Sequence, residues 1–155
     1  MITTSRSLAC SLAVLGALVP ARSLHAQIGV GTWVRKATDS LSTMTMEVEA
    51  CCNGGRRLTY HIGMKGTETL MTVASPFDGS DAEVLVAGKP SGETMAITRV
   101  DDHHVSSVEK LNGKPFATSK GTLSADGKVL TVINEVASSA GGQAVGKSTE
   151  TWVRK

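Results

Sequence analysis

Aromatic side chains are scarce: two Trp, one Tyr and two Phe in 155 residues. An interior built on stacked rings is therefore excluded, and aliphatic residues and methionine must fill it. Proline is rare, at four, and no Pro- or Ser-rich stretch divides the chain. That pattern suits one domain. Cysteine is sparse as well, at three. Neither sign of charge dominates, with 16 basic and 14 acidic residues. Scattered, balanced charge gives no electrostatic footprint for nucleic acid. Helical periodicity is nearly absent after the first 26 residues. No Gly-x-Ser-x-Gly, phosphate loop or paired carboxylate at helical spacing occurs, so the common catalytic signatures are missing.

The one sustained apolar run, Leu8–Val19, follows a short polar start containing Arg6 and leads into small residues ending at Ala26. It falls short of the roughly 20 apolar residues that a spanning helix needs. Residues 1–26 are expected to be a cleaved signal peptide, with a cut after Ala21 as the alternative. Cys10 has Ser7 where a lipoprotein signal wants an aliphatic residue, which argues against a lipid anchor. Arg6 and Arg22 leave with the leader, so the 16 basic residues fall to match the 14 acidic ones. The mature chain, 27–155, is thus expected to be an exported, neutral, single domain, periplasmic or extracellular, with no membrane span. Only Cys51 and Cys52 remain, adjacent in sequence, so no long-range disulfide can hold it.

Short alternating runs ended by turns fill the mature chain. "TMTMEVEA" puts Met44, Met46, Val48 and Ala50 on one face; "RRLTYHI" does so with Leu58, Tyr60 and Ile62. Asn53-Gly54, Asp78-Gly79, Asn112-Gly113 and Asp126-Gly127 are strong hairpin signals. Ten strands are expected, near 30–36, 42–51, 56–62, 67–77, 81–87, 93–100, 103–111, 115–123, 128–137 and 144–154. An open meander of that length would expose two long edges, and closure removes them. The fold class is therefore all-β: an antiparallel up-and-down barrel of about 8–10 strands. Its first and last strands carry the same word, Thr-Trp-Val-Arg-Lys, at 32–36 and 151–155. Strand 30–36 is predicted to pair antiparallel with 149–155.

At this point Gly31-Thr32-Trp33 resembles the Gly-x-Trp signature on the first strand of lipocalins and related calycins. Arg154 resembles the basic residue which that family packs across the tryptophan. The ordered pieces "GTWVRK", "FDGSDAEVLVAGKP", "ITRVDD", "SADGKVLTVINEV" and "TWVRK" are also similar to small secreted bacterial proteins with lipocalin-like or fatty-acid-binding-protein-like domains. The resemblance implies a β-barrel of the lipocalin or calycin type, in a group of secreted proteins largely without assigned function. Two departures stand beside it. Ala37–Leu41 is too short for the helical lid of fatty-acid-binding proteins. Glu150 also precedes Trp152 by two residues, so that family's Arg-x-Tyr anchor has no counterpart.

Trp33 and Arg154 are accordingly expected to close one end of the barrel as an indole–guanidinium pair, an attraction of roughly 0.5–2 kcal/mol. Trp152 also shares a face with Arg154, as does Trp33 with Arg35. A single Trp–Arg set inside would suffice, and the sequence leaves open which. Cys51-Cys52 admits three readings: a strained vicinal disulfide, an intermolecular bridge, or two free thiols. Asp101-Asp102-His103-His104 reads as a polar hairpin rather than a metal site, because adjacent histidines on a strand face opposite ways. Met44, Met46, Tyr60, Met71, Met95, Arg99 and Glu109 are the candidate interior, ligand-facing residues. An inward Arg99 would anchor an acidic head group. The expected function is a non-catalytic binding protein for a small, mostly apolar ligand, without cofactor. The alternative is an envelope structural or protein-interaction module whose barrel is filled by side chains.

Overall fold

Alternation decides the strand faces. In "STMTMEVEAC", Met46 and Val48 are 2% and 1% exposed while Glu47 between them and Glu49 after them are exposed. In "VLTVINEV", Leu130 is 4% exposed and Ile133 is 51% exposed, three residues on and on the opposite face. A computed structural model of the chain describes residues 28–37, 42–64 and 66–155. The expected signal peptide lies outside the described residues. Ten strands follow: β1 (Gly31–Arg35), β2 (Ser42–Cys51), β3 (Gly55–Met64), β4 (Thr67–Ser75), β5 (Asp78–Val86), β6 (Lys89–Arg99), β7 (His104–Leu111), β8 (Lys114–Leu123), β9 (Val129–Val136) and β10 (Gly146–Arg154). Each pairs antiparallel with its sequence neighbours, and β1 pairs with β10 to close the barrel.

Most hairpin signals form the turns they predict. Asn112 and Gly113 both take positive φ, 50° and 78°, as a two-residue turn between β7 and β8 requires. Asp126-Gly127 closes the β8–β9 turn, where the Gly127 amide donates to the Ser124 carbonyl at 2.9 Å. Asp78-Gly79 behaves differently from the expectation. The chain turns one step earlier, at Pro76-Phe77, and Gly79 (φ 87°) lies inside β5 where the ladder slips. Both a turn and a bulge demand a positive-φ residue, so the dipeptide alone does not separate them. The β5–β6 turn is likewise Ala87-Gly88, and Gly92 lies within β6, not at its boundary.

The repeated word pairs with itself. Trp33 lies opposite Arg154, Val34 opposite Val153, and Arg35 opposite Trp152. The flanking amides complete a local two-fold: Lys36 N donates to the Thr151 carbonyl at 2.8 Å, and Lys155 N to the Thr32 carbonyl at 2.9 Å. Directly opposed residues share a face, so both Trp–Arg pairs face inward. This departs from the expectation of one inward set. Trp33 and Trp152 are 0% and 3% exposed.

One end of the barrel is plugged. Ile28, Trp33, Val48, Leu58, Phe77 and Leu123 belong to one packed cluster there. The segment 28–30 crosses beneath it, held by three side chains. The Trp33 indole donates to the Gly29 carbonyl at 3.0 Å, Arg56 Nε to Ile28 O at 3.2 Å, and Arg154 Nη2 to Val30 O at 2.5 Å. A Cβ on Gly29 would meet Arg154 Nη1 at 2.7 Å, so glycine admits the guanidinium. The other end carries the longer connections. The 3-10 turn Ser139–Gly141 packs there on Phe116, which forms a second small cluster with Ala117 and Val136.

Candidate functional site

Between the plug and the loop end lies a cavity of about 350 Å³. Small-molecule sites run from about 300 to 1,000 Å³, so this one is at the small end. Its apolar wall comes from inward positions of successive strands. Met44 and Met46 on β2, Leu58 and Ile62 on β3, Met71 on β4 and Met95 on β6 are part of it. Tyr60 and Trp152 also line it and meet edge to face, with ring centroids 5.9 Å apart. Unbranched methionines adapt to irregular guests at low strain.

Among the candidate interior residues, Met44, Met46, Tyr60, Met71, Met95 and Glu109 thus share this cavity. Arg99 does not. Periodicity places it on the inner face of β6, but beyond Ile97, at the plugged end. Its Nη2 turns outward to Asp102 Oδ1 at 2.8 Å. Of the two positions open to Arg99, inward anchor or rim, the structure gives the rim, so Arg99 is removed from the ligand-facing set and its ion pair with Asp102 satisfies it.

The polar wall is acidic. Glu93 on β6, Glu109 on β7 and Glu150 on β10 line the cavity, with Asn134, Ser107 and Ser119. Gln143, from the loop before β10, reaches in and its Nε2 donates to Glu109 Oε2 at 3.0 Å. Glu150 is neutralised in place. It accepts from Arg35 Nη1 at 3.1 Å and from the Trp152 indole at 3.2 Å. Arg35 also donates to Ser42 Oγ at 3.1 Å. Trp152 and Arg35, one from each copy of the word, therefore serve the cavity, while Trp33 and Arg154 serve the plug.

Burial pushes the Glu109 carboxyl above the usual glutamate range. Its hydrogen bond from Gln143 opposes the shift, and the charges of Glu93 and Glu150 add to it. Glu93 is also raised by burial. The Tyr60 phenol is raised by burial first and then by Glu109 and Glu150. A glutamate whose folded pKa exceeds its unfolded value destabilises the fold once ionised, and that penalty is absent below both values. Glu109→Gln is therefore expected to raise the melting temperature of the empty protein at neutral pH. The gain should vanish on acidification through the raised pKa, as calorimetric melts across pH would read.

The sequence reading gives no site role to Glu93 or Gln143, and names Glu150 only as a departure from the family's anchor. Glu93 shares a face with Met95, and Glu150 with Trp152, by strand period alone; that signal was available. Gln143 sits in a loop, where no periodicity points it anywhere.

The remaining candidates lie at the plugged end. Cys51 and Cys52 are joined by a disulfide, S–S 2.10 Å, in the β2–β3 turn, where Cys52 and Asn53 both take positive φ. Asp101 organises the β6–β7 turn: its Oδ1 accepts from the His103 and His104 amides at 2.8 and 2.9 Å. Those bonds and the His104 ring hold its carboxyl below the usual range. Among the described residues no group of three or more His, Cys, Asp or Glu is arranged to hold a metal ion. Among them, too, no helix is long and apolar enough to cross a membrane.

No family pattern and no curated protein sequence matches the chain. Two solved structures share its architecture, both of the fluorescent protein UnaG. The wild type aligns with a TM-score of 0.56 and 13% identity over 81% of this chain and 96% of that one. A single-site mutant gives 0.56 and 14% over 83% and 96%. The likeness is one of fold: the chain is a closed ten-strand antiparallel up-and-down barrel. At such identity the likeness speaks to fold alone.

Proposed function

We propose that the protein is an exported, non-catalytic carrier that holds one small, mostly apolar molecule inside its barrel. The observation that supports this reading is the cavity of about 350 Å³ behind a closed ten-strand wall, lined by methionine, aliphatic side chains and two rings. A side-chain-filled barrel, the structural or interaction-module alternative, fits this interior poorly. The architecture shared with UnaG is consistent with the proposal. Export rests on the leader-like residues 1–26. Nucleic acid has no part in the proposal, because the charges balance. The test is titration with N-phenyl-1-naphthylamine, an uncharged lipophile whose fluorescence rises in apolar surroundings. Saturable one-to-one binding with quenching of Trp152 is expected. Linear, unsaturable partition would overturn the assignment.

A further inference from the structure

The cavity wall holds carboxylates and no base. Glu93, Glu109 and Glu150 line it; among the described residues no Lys, Arg or His does. Arg35 cancels Glu150 through their 3.1 Å ion pair. Glu109 has only neutral donors among the described residues, Gln143 and the Ser119 hydroxyl. The Glu93 carboxylate has no hydrogen-bond or ion-pair partner among the described residues. A buried anion without a counter-charge is unfavourable, and the natural remedy is a cation brought from outside.

A second observation is independent of the acids. Tyr60 is half-buried and lines the same cavity, and its hydroxyl has no hydrogen-bond partner among the described residues. A hydroxyl without a protein partner on the wall of a mostly apolar cavity is free to bond a ligand's polar atom. Its ring and that of Trp152 also lie on the wall, and aromatic faces attract cations.

We propose that the ligand is a small apolar amine, bound as its ammonium ion, with its N–H donors shared by Glu109 and Glu93 and its remaining polar contact made by the Tyr60 hydroxyl. This rests on the carrier reading and adds the chemical class of the cargo. The methionine wall takes the hydrocarbon, and the acidic wall takes the head. A carboxylate ligand of equal length would meet like charge without a counter-ion. Ionised Glu109 then gains in the complex what it lacks in the empty barrel, and binding releases any proton it holds.

Three ten-carbon ligands separate the possibilities: decylamine, decanol and decanoate, each measured by calorimetry at neutral pH beside N-phenyl-1-naphthylamine. Decylamine should bind about tenfold or more tighter than decanol, since charge-assisted hydrogen bonds in a desolvated site are worth at least that ratio. Decanoate should bind most weakly. Glu93→Gln combined with Glu109→Gln should collapse the amine-to-alcohol ratio towards one. Wild-type protein supplies a readout that needs no variant. Acidification through the Glu109 titration should weaken decylamine and leave decanol unchanged. The groups facing that titration are Glu93 on β6, Tyr60 on β3, Glu150 on β10 and its partner Arg35 on β1; β2, β4, β8 and β9 add no titratable side chain to the cavity wall. Saturable naphthylamine binding with decanoate or decanol equal to or tighter than decylamine overturns the amine assignment and leaves the carrier standing. Absence of binding by all four probes overturns both.

Discussion

Deleting residues 150–155 is expected to abolish cooperative folding. The segment supplies every partner of β1 on the closing side, from Trp33–Arg154 to Arg35–Trp152. It also removes the buried Trp152, the Glu150 that balances Arg35, and the Arg154 that holds residues 29–30 across the plug. Loss of a buried Trp side chain alone costs about 3–5 kcal/mol, and each lost hydrogen bond adds about 1 kcal/mol. Together these approach the whole stability of a domain, about 5–15 kcal/mol. The opened barrel would also present β1 and β9 as unpaired edges, which promote aggregation. Far-UV circular dichroism with urea titration is the measurement. A soluble monomer with a cooperative transition near that of the full chain would show that closure through β10 is dispensable.

The closing register was legible because it follows from a counting argument. An even number of sequential antiparallel strands brings the first and last together, and the Thr-Trp-Val-Arg-Lys word marks both. The meeting of the two copies was legible with it; what the sequence left open is that both Trp–Arg pairs lie on one face. An antiparallel pair reverses one copy, so each tryptophan lies opposite the other copy's arginine in the ladder, while the side chains bond elsewhere: Trp33 to Gly29, Arg154 to Val30, and both Arg35 and Trp152 to Glu150. The faces were legible for the same reason as the strands: period 2 put Met44, Met46, Tyr60, Met71 and Met95 inside, where they line the cavity.

Depth along the barrel axis was not legible. Arg99 and Met95 share a face, yet two turns of the pleat separate a rim position beside Asp102 from a cavity position. Alternation carries no axial coordinate; only the ladder register supplies it. Glu93 and Glu150 share faces with Met95 and Trp152, but alternation alone does not put them at the cavity. Their depth depends on Glu93 lying opposite Leu111, and Glu150 opposite Val132. Asp78-Gly79 misplaced a turn because a bulge and a hairpin ask the same conformation of glycine.

Trp33→Ala is expected to cost about 3–5 kcal/mol, and more than Trp152→Ala, although both residues occupy the same place in the same word. Trp33 is wholly buried, opposes Met46 as well as Arg154, and donates to the Gly29 carbonyl. Its removal leaves a void in the plug and frees residues 28–30, so Ile28 loses its seat in the core. Trp152 borders the cavity, and its loss enlarges a space that already exists. Urea melts of the two variants by circular dichroism measure the difference directly. Naphthylamine titration should show the reverse order, with Trp152→Ala impairing binding more than a folded Trp33→Ala protein does. Equal costs in stability would mean that the seam, and not the separate surroundings of its two ends, sets the value of each indole.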